Sequence, residues 1–369
     1  ARCRPALPGH LGGRRAGLRV GGGMSSRMRA EIEEQPAVLD RTLRALLPQL
    51  PALRQLAAET RQVLFVARGS SDHAAVYGRY LCEVHAGRLG TLAAPSVATA
   101  YRRRLDLDGV LAVGLSQSGH TEEIVDALGW ARECGARTVA VTNTAGSPLT
   151  GVAEVSLVTE AGEERAVPAT KTYTAALLAL AVLGVALGPY DGGFAAVLRR
   201  VPEAVAEVLA APGDVQAMAE AMAGAVGAVV SGRGYAYSTA LELALKLKEA
   251  CYLNAAGLSY ADLLHGPMAV LDADTPALLV AADEGPMTAA MVGLAGLARK
   301  AGAPVYGIGG GDRLSAVCDL SLAGTSLPED LAPIALVVPG QLLAEALARR
   351  LGIDPDSPRG LSKVTQTRS

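Results

Sequence analysis

Three small hydroxyl residues crowd one short stretch of this sequence, LSQSGHTEE at residues 115–123. Ser116, Ser118 and Thr121 follow the apolar run VLAVGL and precede IVDALGWAREC, which has helical spacing. A strand that turns into a helix through serine and glycine presents unpaired backbone N–H groups, and the helix N-terminus adds partial positive charge. The stretch therefore predicts a cradle for an anion, such as the phosphate of a small molecule, without lysine or arginine. Simple N-capping by Ser and Thr is the alternative.

A second hydroxyl-rich turn, RGSSD at residues 68–72, follows the strand-like run VLFVA. The carboxyl ends of parallel strands meet at one edge of a sheet, so the two turns are expected to converge where such sheets bind ligands. Neither turn contains GxxxxGK[ST] or GxGxxG, and we therefore do not expect a nucleoside triphosphate or a dinucleotide.

The turns must be positioned by alternating strands and helices. VLFVA (63–67), TLAAPSVA (91–98), VLAVGL (110–115) and TVAVTN (138–143) are predicted strands separated by helical runs. This alternation predicts an α/β fold with a parallel sheet between helices. Residues 175–188 form the longest apolar run; at fourteen residues it is short for a membrane span and predicts a buried helix.

The pattern then recurs along the chain. AVVSGRG (228–234) matches VLFVARG (63–69) at an offset of 165 residues, and TPALLVAAD (275–283) falls on VLAVGLSQS at the same offset. APVYGIGG (303–310) corresponds to ARTVAVTN. The sequence thus predicts two copies of one unit, but AADEGP replaces the anion turn in the second copy, where its two acids would repel a phosphate.

Composition limits the function classes. A net charge of −2 gives no basic excess for nucleic acid. Five scattered cysteines without a CxxC pair indicate a reduced, intracellular protein, and no His/Cys spacing is typical of a metal site. Residues 1–23 are rich in Arg and Gly, lack an apolar signal core, and are interpreted as disordered or as an over-extended start.

Several motifs resemble those of a known family and occur in the same order along the chain. LSQSGHTEE resembles the phosphate motif of the sugar isomerase (SIS) domain. AEIEEQP, EERAVPATKTYT (163–174), the stretch LELALKLKEACYLNAAGLSYADLLHGPMAVLDAD (241–274) and the tail DPDSPRGLSKVTQT resemble segments of the isomerase half of glutamine–fructose-6-phosphate amidotransferase. The resemblance runs from about residue 28 to 366. It implies two tandem doubly wound parallel-sheet SIS domains, each a three-layer α/β/α unit.

The resemblance implies roles for individual residues. Ser116, Gln117, Ser118 and Thr121, with Ser71 from the other turn, are implied to hold a phosphate. Val167 is implied to place a backbone group near the sugar, and Ser362 to contact the sugar from the tail. The serine that usually follows the valine is Ala169 here, so one hydroxyl contact is in question.

Four residues are candidates for the chemistry. Glu249 lies in an apolar helical run, where burial raises the pKa of an unpaired carboxylate and suits it as a base, and Lys246 lies three residues earlier on the same face. An ordinary Glu–Lys pair on a solvated face is the alternative. His265 can transfer protons near neutral pH, although a loop histidine bonded to backbone would look the same. The resemblance implies that His265 opens the sugar ring from the neighbouring subunit.

Lys363 lies in the polar tail, in PRGLSK. The resemblance implies that it closes over the sugar and can form a Schiff base, whereas an isolated tail lysine is usually only solvated. His120 stands where the family usually has Glu, so we interpret it as a rim or specificity residue.

Without a glutaminase half, the chain most resembles the SIS-type glucosamine-6-phosphate deaminases. The resemblance implies deamination of an amino-sugar phosphate: glucosamine 6-phosphate and water give fructose 6-phosphate and ammonia. We expect no glutaminase half, because only a short segment precedes the match, and no metal or redox cofactor. A deglycase acting on 6-phosphorylated fructosamines is one alternative, and a non-catalytic sugar-phosphate sensor is another.

The predicted organisation has a helical segment at 24–45, the first SIS domain at 46–190 and a linker helix at 191–212. The second SIS domain follows at 213–345, and a lid tail occupies 346–369. The resemblance implies a homodimer with His265 contributed across its interface. The expected partner is a small sugar phosphate, with no nucleic acid and no membrane, in the cytoplasm.

Overall fold

The protein contains two five-stranded parallel sheets. A computed structural model describes residues 25–189 and 192–363, and the predictions for residues 1–23 lie outside them. The first sheet comprises β1 (Gln62–Val66), β2 (Leu89–Leu92), β3 (Val110–Leu115), β4 (Arg137–Thr142) and β5 (Val155–Val158). The second comprises β6 (Gly227–Gly232), β7 (Asn254–Ser259), β8 (Ala277–Ala281), β9 (Val305–Gly309) and β10 (Leu320–Leu322).

The two sheets share one strand order. The first runs β2-β1-β3-β4-β5 and the second runs β7-β6-β8-β9-β10, so each strand has a counterpart at the same place in the other sheet. All pairings between these strands are parallel. The predicted α/β class and the predicted duplication are therefore confirmed.

Helices cover both faces of each sheet. They are α1 (Arg27–Glu33), α2 (Gln35–Leu46), α3 (Leu50–Ala58), α4 (Ser70–Tyr80), α5 (Ser96–Thr99), α6 (Glu122–Glu133), α7 (Pro148–Val152), α8 (Lys171–Leu187), α9 (Gly192–Leu198), α10 (Val201–Ala210), α11 (Val215–Met222), α12 (Ala236–Cys251), α13 (Tyr260–Leu264), α14 (Thr288–Lys300), α15 (Gly311–Ser315) and α16 (Ala332–Arg350). Two 3₁₀ turns (Leu47–Gln49 and Pro267–Val270) and a π-helical turn (Leu81–His85) complete them.

One continuous core joins the two sheets. Alternate residues of a strand point to opposite faces, and both faces are buried here, which explains the unbroken apolar runs. In β1, Val63 and Phe65 face a large core shared with the second sheet, whereas Val66 packs against α6 on the outer side. In β8, Leu278 faces the shared core and Leu279 faces α14.

Most predicted strands agree with the structure, and one does not. TLAAPSVA is strand only up to Leu92, and its second half is α5. The last ladder-type hydrogen bond runs from Ala93 N to Phe65 O, and Pro95 then follows, which has no N–H for pairing. The short edge strands β5 and β10, and also β7, were not predicted.

In the N-terminal segment, Pro36 lies in the first turn of α2 and Pro48 in a 3₁₀ turn, where the missing N–H of proline is tolerated. The apolar run at 175–188 forms the buried helix α8. The predicted single linker helix is instead two helices, α9 and α10. Residues 346–350, assigned above to the tail, belong to α16, because Leu347 is fully buried.

Helix α16 alone, among the described residues, is long and apolar enough to cross a membrane by length and composition. Of its apolar window, 94% is buried inside the protein, as in a core helix.

Candidate active site

In the turn after β3, the side-chain hydroxyls of Ser116 and Thr121 contact each other. Thr121 occupies the N-cap position of α6, but its side chain makes no capping hydrogen bond in the described structure. Its Oγ1 lies 3.2 Å from Ser116 Oγ, which also accepts a hydrogen bond from Gly119 N at 3.2 Å. For Thr121, side-chain capping is therefore the wrong explanation, and the N-terminus of α6 adds partial positive charge beside the turn.

Gly119 allows this turn to pack tightly. Its φ of +67° is in the left-handed region. A Cβ there would lie 2.1 Å from Ser147 Oγ and 2.9 Å from Thr142 Oγ1, which leaves no room for a side chain. The glycine thus keeps the turns after β3 and β4 in contact.

The turn after β1 faces the first one. Gly69, with φ +57°, precedes α4 without a side-chain cap, and Ser70 and Ser71 occupy the first helical turn. Arg68 also reaches this region, with its guanidinium paired to Glu123 at 3.0 Å. The sequence predicts a cradle without arginine, but Arg68 lies in its lining.

Both turns open into one cleft of about 340 Å³. The predicted site residues that line it are Ser71, Ser116, Gln117, Ser118, Thr121, Val167, Glu249, Ser362 and Lys363. It is also lined by Arg68, Gly69, Ser70, Ala169 and Leu361. Lys246 and His265 do not line it. Residues from two turns, from α12 and from the tail are thus brought together from distant parts of the chain.

Glu249 enters the cleft from the second copy of the fold and contacts a fully buried lysine. Its Oε2 lies 2.5 Å from Lys246 Nζ, and Lys246 also lies 3.4 Å from Glu242. Glu249 is 22% exposed, whereas the other two side chains are 0% exposed, so the predicted alternative of a solvated pair is wrong. Burial alone would lower the pKa of Lys246, but Glu242 and Glu249 outweigh it and raise that pKa above its usual value.

Glu242 connects Lys246 and Glu249 to the first copy of the fold. Its carboxylate accepts a hydrogen bond from Ser70 Oγ at 2.9 Å and contacts His73 Nδ1 at 2.9 Å. Burial would raise the pKa of Glu242, yet Lys246 and then His73 lower it below the usual value. The carboxylate therefore stays ionised and ties α12 to the start of α4.

Lys363 reaches the cleft wall from the tail. Its Nζ donates to Glu164 Oε2 at 2.6 Å and to Ala166 O at 2.8 Å. Glu164 is 0% exposed, and although burial would raise its pKa, the ammonium of Lys363 helps to hold that pKa below the usual value. Neither Glu164 nor Glu242 was predicted as a site residue.

The loop that carries Glu164 and Val167 is supported by α1. Glu31 accepts backbone hydrogen bonds from Arg165 and Ala166, and burial raises its pKa. This contact gives the AEIEEQP motif a physical role. The N–H of Val167 donates to Asp356 O at 2.9 Å, so its carbonyl is the backbone group that could face a sugar.

The tail is fixed to α1 and to the second copy before it reaches the cleft. The Asp356 carboxylate accepts hydrogen bonds from the N–H groups of Arg27 and Met28 at 2.9 and 2.8 Å. Arg359 lies over the Tyr252 ring at 4.3 Å, and its N–H donates to the Tyr252 hydroxyl at 2.7 Å. Ser362 and Lys363 are thereby placed beside the two turns.

Neither of the two histidines singled out in the sequence is in the cleft lining. His265 follows α13 and is exposed. Exposed apolar residues lie close to it in sequence, with Leu264 at 38% and Val270 at 53%. His120 is also exposed, and its Nδ1 lies 2.6 Å from Ser118 O.

The equivalent turn of the second copy contains the carboxylate of Asp283. Asp283 accepts a hydrogen bond from Gly311 N at 3.1 Å. Gly309, Gly310 and Gly311 all have positive φ, an arrangement that points successive N–H groups inward. Burial raises the pKa of Asp283, and the backbone N–H groups of Gly311 and Gly310 oppose that rise. The acids of AADEGP therefore replace the anion turn, with Asp283 bonded inside the fold.

Comparison with known proteins identifies related chains. The SIS domain family matches residues 56–186 and 222–348. Glutamine–fructose-6-phosphate aminotransferase (isomerizing) from Pyrococcus horikoshii is 33% identical over 347 residues, which cover 93% of this chain and 58% of that protein. The chain thus spans little more than half the length of the curated relatives it matches.

Solved structures show the same architecture. A Silicibacter pomeroyi protein, provisionally described as a phosphosugar isomerase, is 33% identical, with a TM-score of 0.81 over 90% of this chain and 100% of that chain. The C-terminal domain of glucosamine-fructose-6-phosphate aminotransferase from Francisella tularensis is 25% identical, with a TM-score of 0.83, covering 91% and 99% of the two chains. Glucosamine-6-phosphate deaminase from Thermotoga maritima is 24% identical, with a TM-score of 0.74 over 93% and 100%, and shares the fold.

Proposed function

This chain belongs to the SIS domain family, and on that premise we propose that it deaminates an amino-sugar phosphate. The reaction is glucosamine 6-phosphate plus water to fructose 6-phosphate plus ammonia. One observation supports it above the others: a cleft of about 340 Å³ joins an anion-binding turn, the carboxylate of Glu249 and the ammonium of Lys363. A phosphate anchor, a base and a cation are what an aldose–ketose proton transfer needs.

The phosphate is bound by the turn after β3 and by Ser71. Hydroxyls of Ser116, Ser118 and Thr121 provide hydrogen-bond donors for its oxygens, and the N-terminus of α6 adds partial positive charge. Binding of this remote group holds the reacting carbons in place. Such positioning supplies much of the rate enhancement of the reaction.

Glu249 is the base in this proposal. It removes the proton from C2 of the open-chain sugar and returns it to C1. The aldehyde oxygen O1 gains a proton and the amine loses one, so the amino aldehyde becomes a ketose imine. Water then adds to the C2 imine and ammonia leaves, so that the products balance the substrates. Lys246 holds the Glu249 carboxylate in position through their 2.5 Å contact, and Lys363 lies where it can polarise the substrate oxygen.

A homodimer is the second part of the proposal. His265 is exposed and does not line the cleft of its own chain, and exposed apolar residues adjoin it in sequence. A partner subunit that receives His265 would complete a ring-opening acid. Mixed dimers test this idea: His265→Ala combined with Glu249→Gln should regain activity if His265 acts across the interface, and stay inactive if it does not.

The direct test supplies glucosamine 6-phosphate to the purified protein and measures ammonia and fructose 6-phosphate together. Equal release of both products is expected, and Glu249→Gln should abolish it, by about a hundredfold or more for loss of a general base. Glu203→Gln, a charge-matched change at an exposed residue of α10, is the control. Full turnover by Glu249→Gln would reject the assignment of the base.

One observation favours a deglycase as the second candidate. An open pocket of about 430 Å³ adjoins the cleft, with Gln117 in both linings and Glu164 in its wall. This volume could accept the substituent of an N-substituted amine. Release of an amino acid from a fructosamine 6-phosphate, faster than release of ammonia from glucosamine 6-phosphate, would select this activity.

A further inference from the structure

We propose that Glu164 is a positioning residue that latches the tail by holding Lys363 at the cleft wall. What Lys363 does to the substrate rests on the proposed function. The latch itself rests on the contacts of the pair and on its burial.

The carboxylate of Glu164 is oriented independently of the tail. Its Oε1 accepts hydrogen bonds from Thr170 N at 2.9 Å and Thr172 N at 3.1 Å, and its Oε2 accepts one from Thr172 Oγ1 at 2.6 Å. These donors belong to the start of α8, a helix buried in the shared core. The acceptor for Lys363 is therefore built into the rigid part of the protein.

Lys363 fits this acceptor with two contacts. Its Nζ bonds Glu164 Oε2 at 2.6 Å and Ala166 O at 2.8 Å, so the ammonium is held by a charge and by a carbonyl from one loop. The lysine side chain is 24% exposed and the carboxylate is 0% exposed. A buried carboxylate without a cation is costly, which favours the docked position of the tail.

The charges around Glu164 come from three other elements. Lys363 approaches from the tail, Glu31 from α1 and Lys246 from α12. Glu31 repels the carboxylate, and Lys246 is already bonded to Glu249 and paired with Glu242. Lys363 is thus the cation in direct contact with Glu164 among the described residues, and its removal should leave the tail weakly held.

Limited trypsin digestion tests the latch without any substrate. Mass spectrometry would follow cleavage after Arg359 in the wild type and in Glu164→Gln, a variant that can still accept hydrogen bonds from Thr170 and Thr172. We expect this bond to be cut at least tenfold faster in Glu164→Gln. Glu163→Gln is the matched control, because Glu163 is adjacent, exposed and paired with Arg165. Equal cleavage of the two variants would overturn the proposal.

Lys363→Met gives a second route that leaves the core untouched. It should accelerate cleavage after Arg359 as much as Glu164→Gln does, and the double variant should be no faster than either one, because both remove one interaction. Additive acceleration would show that Glu164 acts through the fold rather than through Lys363, and would reject the latch.

Turnover separates this inference from the proposed function. If the wild type deaminates glucosamine 6-phosphate, Glu164→Gln should lower kcat at least tenfold while the Kd for inorganic phosphate changes less than twofold. Lowered kcat with equally weakened phosphate binding would contradict a positioning role. If the wild type releases no ammonia, the proposed reaction fails, and the digestion result alone supports or rejects the latch.

Discussion

Lys246 is the buried cation on which two carboxylates of α12 depend, and we predict that Lys246→Met destabilises the protein strongly. The side chain is 0% exposed and contacts Glu249 at 2.5 Å and Glu242 at 3.4 Å. Methionine fills a similar space but leaves the buried Glu242 carboxylate without its lysine. Removing one member of a buried pair costs about 3–5 kcal/mol.

We expect the lower end of that range, because His73 and Ser70 still contact Glu242 in the variant. At about 2–4 °C per kcal/mol for domains of this size, the melting temperature should fall by roughly 6–12 °C. Thermal unfolding by calorimetry measures this shift. Glu242→Gln in the Lys246→Met background should restore part of the loss, since it removes the uncompensated charge.

Lys248→Met is the matched control for this experiment. Lys248 lies two residues away on α12, carries the same charge and is exposed. An exposed substitution of this kind changes stability by about 0.5 kcal/mol or less. If Lys246→Met melted within about 2 °C of Lys248→Met, the ion-pair reasoning would be refuted.

Two further predictions concern the turn and the pH dependence. Gly119→Ala should weaken binding of inorganic phosphate at least tenfold and lower the melting temperature, because its Cβ would lie 2.1 Å from Ser147 Oγ at a φ of +67°; titration calorimetry would show it, and unchanged affinity would contradict the packing described for this turn. The pKa of Glu242 in the folded protein is below the usual 4.5, because Lys246 outweighs the effect of burial. Ionised Glu242 therefore stabilises the fold above pH 4.5, and this stabilisation is lost as the pH falls through the pKa of the folded protein. The melting temperature of the wild type should therefore fall more steeply below pH 4.5 than that of Glu242→Gln, and parallel curves would refute this.

The strands that position the site were readable from the sequence because both of their faces are buried. A continuous apolar run such as VLAVGL has no other stable place than the middle of a covered sheet, and β3 spans that run. The second copy was readable because its runs recur at a constant offset. The edge strand β5 was not predicted, because its residues are mostly only partly buried and do not form a continuous buried apolar run.

The site itself was predictable only where a local pattern carries the chemistry. The hydroxyl turn is such a pattern, and its residues do meet in one cleft. The buried carboxylates Glu164, Glu242 and Glu31 were missed because their roles depend on partners that are far away in sequence. For example, Lys363 lies 199 residues from Glu164. Nothing local distinguishes such a glutamate from a solvated one.

The shared core between the two copies has a consequence for the size of the substrate. The anion turn belongs to the first copy and Glu249 to the second, and buried side chains of both copies pack together between them. In the proposed reaction, the distance between the phosphorus at that turn and the carboxylate of Glu249 is therefore fixed. A sugar phosphate with fewer carbons would bind by its phosphate yet leave its C1 and C2 short of Glu249, and it would act as an inhibitor rather than as a substrate.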